Sequence, residues 1–239
     1  MAKGPKSESQ CWRVDLGRRD FQEALALQRR LVVARQEGRI PDLLLFVEHP
    51  PTYTLGRSAR AEHLLFDAKT TDKVKLKLKL GASVVETDRG GDVTFHGPGQ
   101  LVGYPIIDLK SWTPDVHEYL RALEALLIDA VREFGIEATR EEGLTGVWHP
   151  RGKLAAIGVR VSRWVTSHGF ALNVATDLEY FKHIVPCGIF GRTVTSMEHV
   201  LEAPVALGPV KDAAAQAFAR IFDRDVHSAK QVDLEMVVR

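Results

Sequence analysis

The stretch Lys153-Leu-Ala-Ala-Ile-Gly-Val-Arg-Val-Ser-Arg-Trp-Val-Thr-Ser-His-Gly-Phe-Ala-Leu-Asn-Val174 decides the fold class. It holds two apolar runs, Leu154 to Val161 and Trp164 to Val174, close enough in sequence to predict a hairpin turning through Ser162-Arg163. Upstream, Thr113-Pro114 supplies an N-cap with proline at the first helical position. The helix it opens carries Val116, Leu120, Leu123, Leu127, Val131 and Phe134 and stops at Gly135. Leu101 to Asp108 is strand-like, and Leu43-Leu-Leu-Phe-Val47 reads as a buried strand stopped by Pro50 and Pro51. Before it, Asp20 caps a helix with Phe21, Ala24, Leu25, Leu31 and Val32 on its apolar stripe, ended by Gly38. Downstream, a last helix runs from Asp212 to Phe222 with Ala214, Ala217, Phe218 and Ile221 inward. Hairpins that alternate irregularly with helices predict an α/β fold, a mixed β-sheet covered by helices, rather than a regular βαβ wind. No linker-like shift in composition interrupts the pieces, so residues 11 to 239 are expected to form a single domain after a disordered tail at residues 1 to 10.

With 239 residues, 45% hydrophobic and 26% charged, and a formal net charge of +1, the composition is that of a soluble globular protein. It lacks the basic excess of a duplex binder, so no nucleic-acid partner is expected. Cys11 and Cys187 sit in contexts too unlike for a structural disulfide, which fits a reducing compartment. The polar N-terminus has no apolar signal core and no later run is long enough to cross a bilayer, so the expected location is cytoplasmic, with no membrane partner. The alternation Lys73-Val-Lys-Leu-Lys-Leu-Lys-Leu80 would place all its lysines on one face of a strand. It is expected to be a solvated surface strand or an insertion, with a membrane or carrier-binding role for the basic face as the alternative.

Several motifs are near misses. Gly97-Pro-Gly-Gln-Leu-Val-Gly103 has one residue too many before its third glycine and precedes a strand, so it is no dinucleotide fingerprint. Gly146 to Leu154 puts five residues between its glycines and Leu154 where a phosphate loop needs Ser or Thr. His117-Glu118 lacks a second histidine for a zinc face, and no Gly-x-Ser-x-Gly elbow occurs, so neither a metal nor any other cofactor is expected.

What stands out is Arg89-Gly-Gly-Asp-Val-Thr-Phe-His-Gly-Pro-Gly-Gln100 together with Cys187 in Ile184-Val-Pro-Cys-Gly-Ile189 and Lys153 between them. Any one of Gly90, Gly91, Gly97 and Gly99 could merely serve a turn. Four in so short a run instead predict a loop whose backbone N–H groups approach a ligand, such as a thioester carbonyl or its oxyanion. His96 within it is a loop hydrogen-bonder or a pocket residue. A cysteine can be an inert small hydrophobe, but Pro186 and Gly188 set Cys187 in a turn-like context suited to an exposed nucleophile. Lys153 alone reads as a solvated surface lysine, and Cys11 as incidental.

The runs Arg89 to Pro105, Lys153 to Val174, Ile184 to Ile189 and Val194-Thr-Ser196, with Glu48-His-Pro-Pro51 and Thr54-Leu-Gly-Arg57, resemble the lipoyl(octanoyl) transferases over roughly residues 43 to 197. The resemblance implies an octanoyl-[acyl-carrier-protein]:protein N-octanoyltransferase with the fold of the biotin and lipoate protein ligases. In that family a cysteine holds the octanoyl group as a thioester and a lysine lowers its pKa, positions that fall on Cys187 and Lys153. The family's acyl pocket falls on Arg89, Gly90, Gly91, Asp92, Val93, Thr94, Phe95 and His96, on Ala156, Ile157 and Gly158, and on Gly169, Phe170 and Ala171. Implied partners are octanoyl-acyl-carrier protein as donor and, as acceptors, apo lipoyl domains of 2-oxoacid dehydrogenase complexes and the glycine cleavage H protein. Lys153 or His168 would relay the acceptor's proton. The alternatives are an ATP-dependent lipoate or biotin protein ligase, whose nucleotide signature is missing here, and a non-catalytic binder of carrier domains.

Overall fold

In the computed structural model, residues 9–65, 81–185 and 192–237 are described. Among these the chain runs β1 (Gln10–Arg18), α1 (Phe21–Gln36), β2 (Asp42–Glu48), β3 (Thr52–Leu55), β4 (Ser83–Glu86), β5 (Val93–His96), β6 (Gln100–Ile106), α2 (Val116–Arg132), β7 (Thr139–Glu141), β8 (Leu144–His149), β9 (Gly152–Ser162), β10 (Val165–Asn173), α3 (Met197–Leu201), α4 (Leu207–Phe222), β11 (Asp225–Ser228) and α5 (Gln231–Val237). Eight strands form one sheet in the order β11-β1-β2-β6-β10-β9-β8-β7, and β4-β3-β5 form a second, smaller one. β1 runs parallel to β2 and β11, while β2, β6, β10, β9, β8 and β7 pair antiparallel, so the sheet is mixed as expected.

The unbroken apolar run of β2 follows from cover on both faces. Leu43, Leu45 and Val47 pack with Ala24, Leu27 and Leu31 of α1, and Leu44 and Phe46 face the cluster built by Tyr119, Leu123, Phe218 and Phe222 of α2 and α4. α1 starts where its cap predicts: the Asp20 carboxylate accepts from the backbone N–H groups of Gln22 and Glu23 at 2.8 and 3.3 Å. Among the described residues no helix is long and apolar enough to cross a membrane.

Six expectations shift. The hairpin turns through Arg163 and Trp164, one residue later, with both at positive φ (49° and 69°), the backbone a two-residue primed turn requires. The cap of α2 is Asp115, which accepts from His117 and Glu118, so Thr113-Pro114 precede the helix. α4 begins at Leu207, with Pro209 in its first turn, where a missing N–H costs nothing. Cys11 is a fully buried residue of β1 rather than part of a polar leader, and burial raises its thiol pKa. Of the expected tail, residues 1–8 lie outside the described residues and Gln10 already opens β1. Finally, Arg89 to Gln100 is not all loop, because Val93–His96 pair with β3 as β5. The Lys73 to Leu80 alternation lies outside the described residues.

Candidate active site

The β9–β10 hairpin lays down the floor of a cleft. Two directly opposed rungs, Ala156 with Ala171 and Gly158 with Gly169, carry side chains no larger than methyl, which leaves a lane along the sheet. Thr94 and His96 of β5, the Arg89–Asp92 turn, Phe21 of α1, and Val102 and Tyr104 of β6 complete the walls of a mainly apolar cleft. Thr94, Ala156 and Ala171 are shared with a small recess lined by Lys153, Gln100 and Asn173.

The roof is fastened by backbone and by Arg89. Gly90 N–H donates to Val159 O at 2.9 Å, and the Arg89 guanidinium donates to Thr54 O at 2.7 Å and Thr54 Oγ1 at 2.9 Å. The approach is close enough that a Cβ on Gly56 would stand 2.2 Å from Gly91 O, so glycine is required there.

From Arg89 a chain of hydrogen bonds runs with a single possible direction. Arginine can only donate, so Thr54 Oγ1 accepts from it and gives its own proton to His96 Nε2 at 3.3 Å. His96 Nδ1–H then donates to Gln100 Oε1 at 2.9 Å, Gln100 Nε2 to Asn173 Oδ1 at 2.9 Å, and Asn173 Nδ2 to Thr195 O at 3.1 Å. His96 is thus a neutral, fixed tautomer. Burial drives its pKa well below the ordinary histidine value, with His49 and Arg89 adding repulsion. Both readings offered for His96, hydrogen-bonder and cleft residue, hold together.

Lys153 is buried (6% exposed) with Nζ 5.1 Å from the centre of the Trp148 ring. A Cβ on Gly146 would meet Lys153 Cε at 2.7 Å, so Gly146 makes room for it. Its backbone is clipped to the segment that follows residue 191: Lys153 N–H donates to Thr193 O and Thr195 N–H to Lys153 O, both at 2.9 Å. On the other flank, Val185 N–H donates to His63 O at 2.8 Å, and His63 Nδ1 lies 2.5 Å from Asp92 Oδ2 in the cleft wall. Cys187 itself falls in residues 186–191, outside the described residues.

His168 also lines the cleft, far from Lys153. It pairs with Val159, six residues beyond Lys153 on β9, or ~20 Å at ~3.3 Å per residue. Its Nε2–H donates to Asp88 Oδ1 at 2.7 Å, and its backbone N–H to Gln28 Oε1 at 2.9 Å. Burial lowers its pKa against the pull of Asp88. Burial works the other way on Asp88, yet the His168 hydrogen bond and Arg160 hold that carboxyl below its ordinary value.

Of the residues singled out in the sequence, Arg89, Gly91, Asp92, Thr94, His96, Ala156, Ile157, Gly158, Gly169, Phe170 and Ala171 meet in the cleft. Val93 and Phe95 do not, because strand alternation sends them into the core of the small sheet with Tyr53, Phe181 and Ile184. Gly90 holds the roof without lining the cleft. Phe21, Val102 and Tyr104 were missed: Phe21 reads as helix core and the other two as strand core, and no spacing signals their shared edge. Gln100 and Asn173 stood inside quoted motifs without a role.

This architecture is that of lipoate-protein ligases. Lipoate-protein ligase A bound with ATP superposes with a TM-score of 0.72 at 15% identity, covering 97% of this chain and 93% of that one. The bi-partite lipoate protein ligase of Thermoplasma acidophilum gives 0.71 at 16%, covering 96% and 91%. The profile of the lipoyl protein ligase A/B catalytic domain matches residues 20–219, and the chain belongs to that family. Among its relatives, an octanoyltransferase of Geobacter metallireducens is 50% identical over 87% of this chain and 92% of its own length. An octanoyltransferase of Solibacter usitatus is 50% identical over 89% and 93%.

Proposed function

We propose that this chain is an octanoyltransferase of protein lipoylation, which moves an octanoyl group from acyl-carrier protein to the ε-amine of a lysine on lipoyl domains through a thioester on Cys187. The observation that carries the reading is an apolar cleft ending at a buried lysine whose backbone is tied to the segment just after Cys187, in a chain half identical to octanoyltransferases. A thiol nucleophile suits the reducing, cytoplasmic setting expected from the sequence.

Lys153 takes the Cys187 proton, and the thiolate attacks the octanoyl thioester carbon while the chain lies along the Ala156–Gly158 and Gly169–Ala171 lane. The tetrahedral intermediate collapses, the carrier's C–S bond breaks, and the departing thiolate takes the proton from Lys153. The acceptor amine then attacks the acyl-enzyme, gives its proton to Lys153, and expels Cys187 as thiolate beside the restored ammonium. One thioester is exchanged for another and then for an amide, so the sequence needs no nucleotide. Relay through His168 is disfavoured by its ~20 Å separation along the strands.

The test is intact mass after mixing the protein with octanoyl-acyl-carrier protein without ATP, then adding apo lipoyl domain. An octanoyl adduct on Cys187 that moves to the acceptor lysine is expected, with no adduct in Cys187→Ala and slower capture in Lys153→Ala. Acceptor modification only when ATP and free acid are supplied would mean a ligase. No modification under either condition would mean a non-catalytic binder of carrier domains.

A further inference from the structure

We propose that the His168–Asp88 pair closes the acyl cleft at the end opposite Lys153 and so sets the longest acyl chain the protein accepts. The inference rests on the acyl-transfer reading: the reacting carbonyl must sit at the Lys153 end, so the tail of the chain points along the lane toward the Gly158–Gly169 rung. His168 comes next on β10, and at that end glycines line the floor (Gly158 and Gly169) and the roof (Gly91). The imidazole therefore supplies the bulk that stops the chain. Behind it stands Asp88, about a quarter exposed, held by Arg160 and approached by Arg29 at 4.0 Å, with both arginines at the surface. The pair is thus the partition between cleft and solvent.

Two features show that the ring is held there against a local cost. His168 has φ +57°, a left-handed backbone that an L-residue adopts only when its surroundings over-determine it. The surroundings do so through the Asp88 bond to its ring and the Gln28 bond to its N–H. The ring is neutral, with Nε2–H committed to a carboxylate, which lets an apolar chain end rest against it without desolvating a charge.

The test is a series of acyl-carrier proteins loaded with chains from hexanoyl to tetradecanoyl, with cysteine acylation rates read by mass. His168→Gly removes the ring and relieves the left-handed backbone. It is expected to raise the ratio of dodecanoyl to octanoyl capture at least about tenfold, with His168→Asn between it and the unmodified protein. An unchanged ratio, with all chains slowed together, overturns the proposal. Should His168→Gly fail to fold by circular dichroism, Asp88→Ala, which leaves the ring but removes its tether, must raise the same ratio, and a flat result there overturns it equally. If the unmodified protein captures no chain of any length, the acyl-transfer reading falls and takes this proposal with it.

Discussion

His49 is a titrating group sealed inside the fold. It is fully buried, with Nδ1–H donated to Arg19 O and Nε2 receiving the Tyr104 hydroxyl, both at 2.8 Å. Burial lowers its pKa from 6.5 to about 4. A base whose folded pKa is depressed stabilises the fold fully above the unfolded value, and this stability is lost as pH falls from 6.5 toward about 4. The contribution is roughly 3 kcal/mol for His49 alone, and the lowered values of His96 and His168 act in the same direction. Urea midpoints at pH 7.5 and 4.5 should therefore drop more steeply for the unmodified protein than for His49→Asn, whose amide can still donate to Arg19 O. Equal slopes would contradict the assignment. At Gly146, φ +129° and a Cβ position 2.6 Å from Ala155 O and 2.7 Å from Lys153 Cε leave no room for a methyl without displacing both the Ala155 backbone and the Lys153 side chain. Gly146→Ala is expected to slow acyl capture by about 10²-fold, and a rate near that of the unmodified protein would show that the position of Lys153 does not matter.

At the level of elements, the small-residue lane of β9 and β10 is the feature on which chain binding depends. Ala171→Leu would put a branched side chain into it beside the recess of Lys153. Octanoyl capture should fall at least about tenfold while butanoyl capture holds, because only the longer chain has to pass over residue 171. Equal losses for both would place the chain elsewhere. β2, β6, α1 and the hairpin were legible because burial on one or both faces writes directly into apolar pattern. β1 was not, since Arg13, Asp15 and Arg18 interrupt it, nor β3, four residues hidden behind two prolines. β5 escaped because its cleft-facing residues, Thr94 and His96, are polar and stand among glycines. The candidate site was legible through resemblance to a family. Spacing alone could not bring Lys153 to Ala171, or His168 to Asp88, because those contacts depend on strand register between distant segments.

Across the whole molecule, Asp42 joins parts of the chain that the sequence keeps far apart. Its buried carboxylate accepts from Arg35 Nε at 2.7 Å at the end of α1, from Arg224 Nε at 2.8 Å between α4 and β11, and from Asp108 N–H at 3.0 Å after β6. Asp42→Asn would leave two arginine charges without their counter-ion, Arg224 almost fully buried, at a cost of about 3 kcal/mol. A urea midpoint within error of the unmodified protein would refute that role.

The parallel pairing of Gln10–Arg13 with Asp225–Ser228 carries a consequence for synthesis. A ribosome releases β1 long before its outer neighbour β11, whereas β2, the inner neighbour, follows at once. Until Asp225 emerges the outer edge of β1 therefore lacks its partner, a template for association with other chains. A chaperone that shields that edge until Asp225 emerges would raise the yield of folded protein.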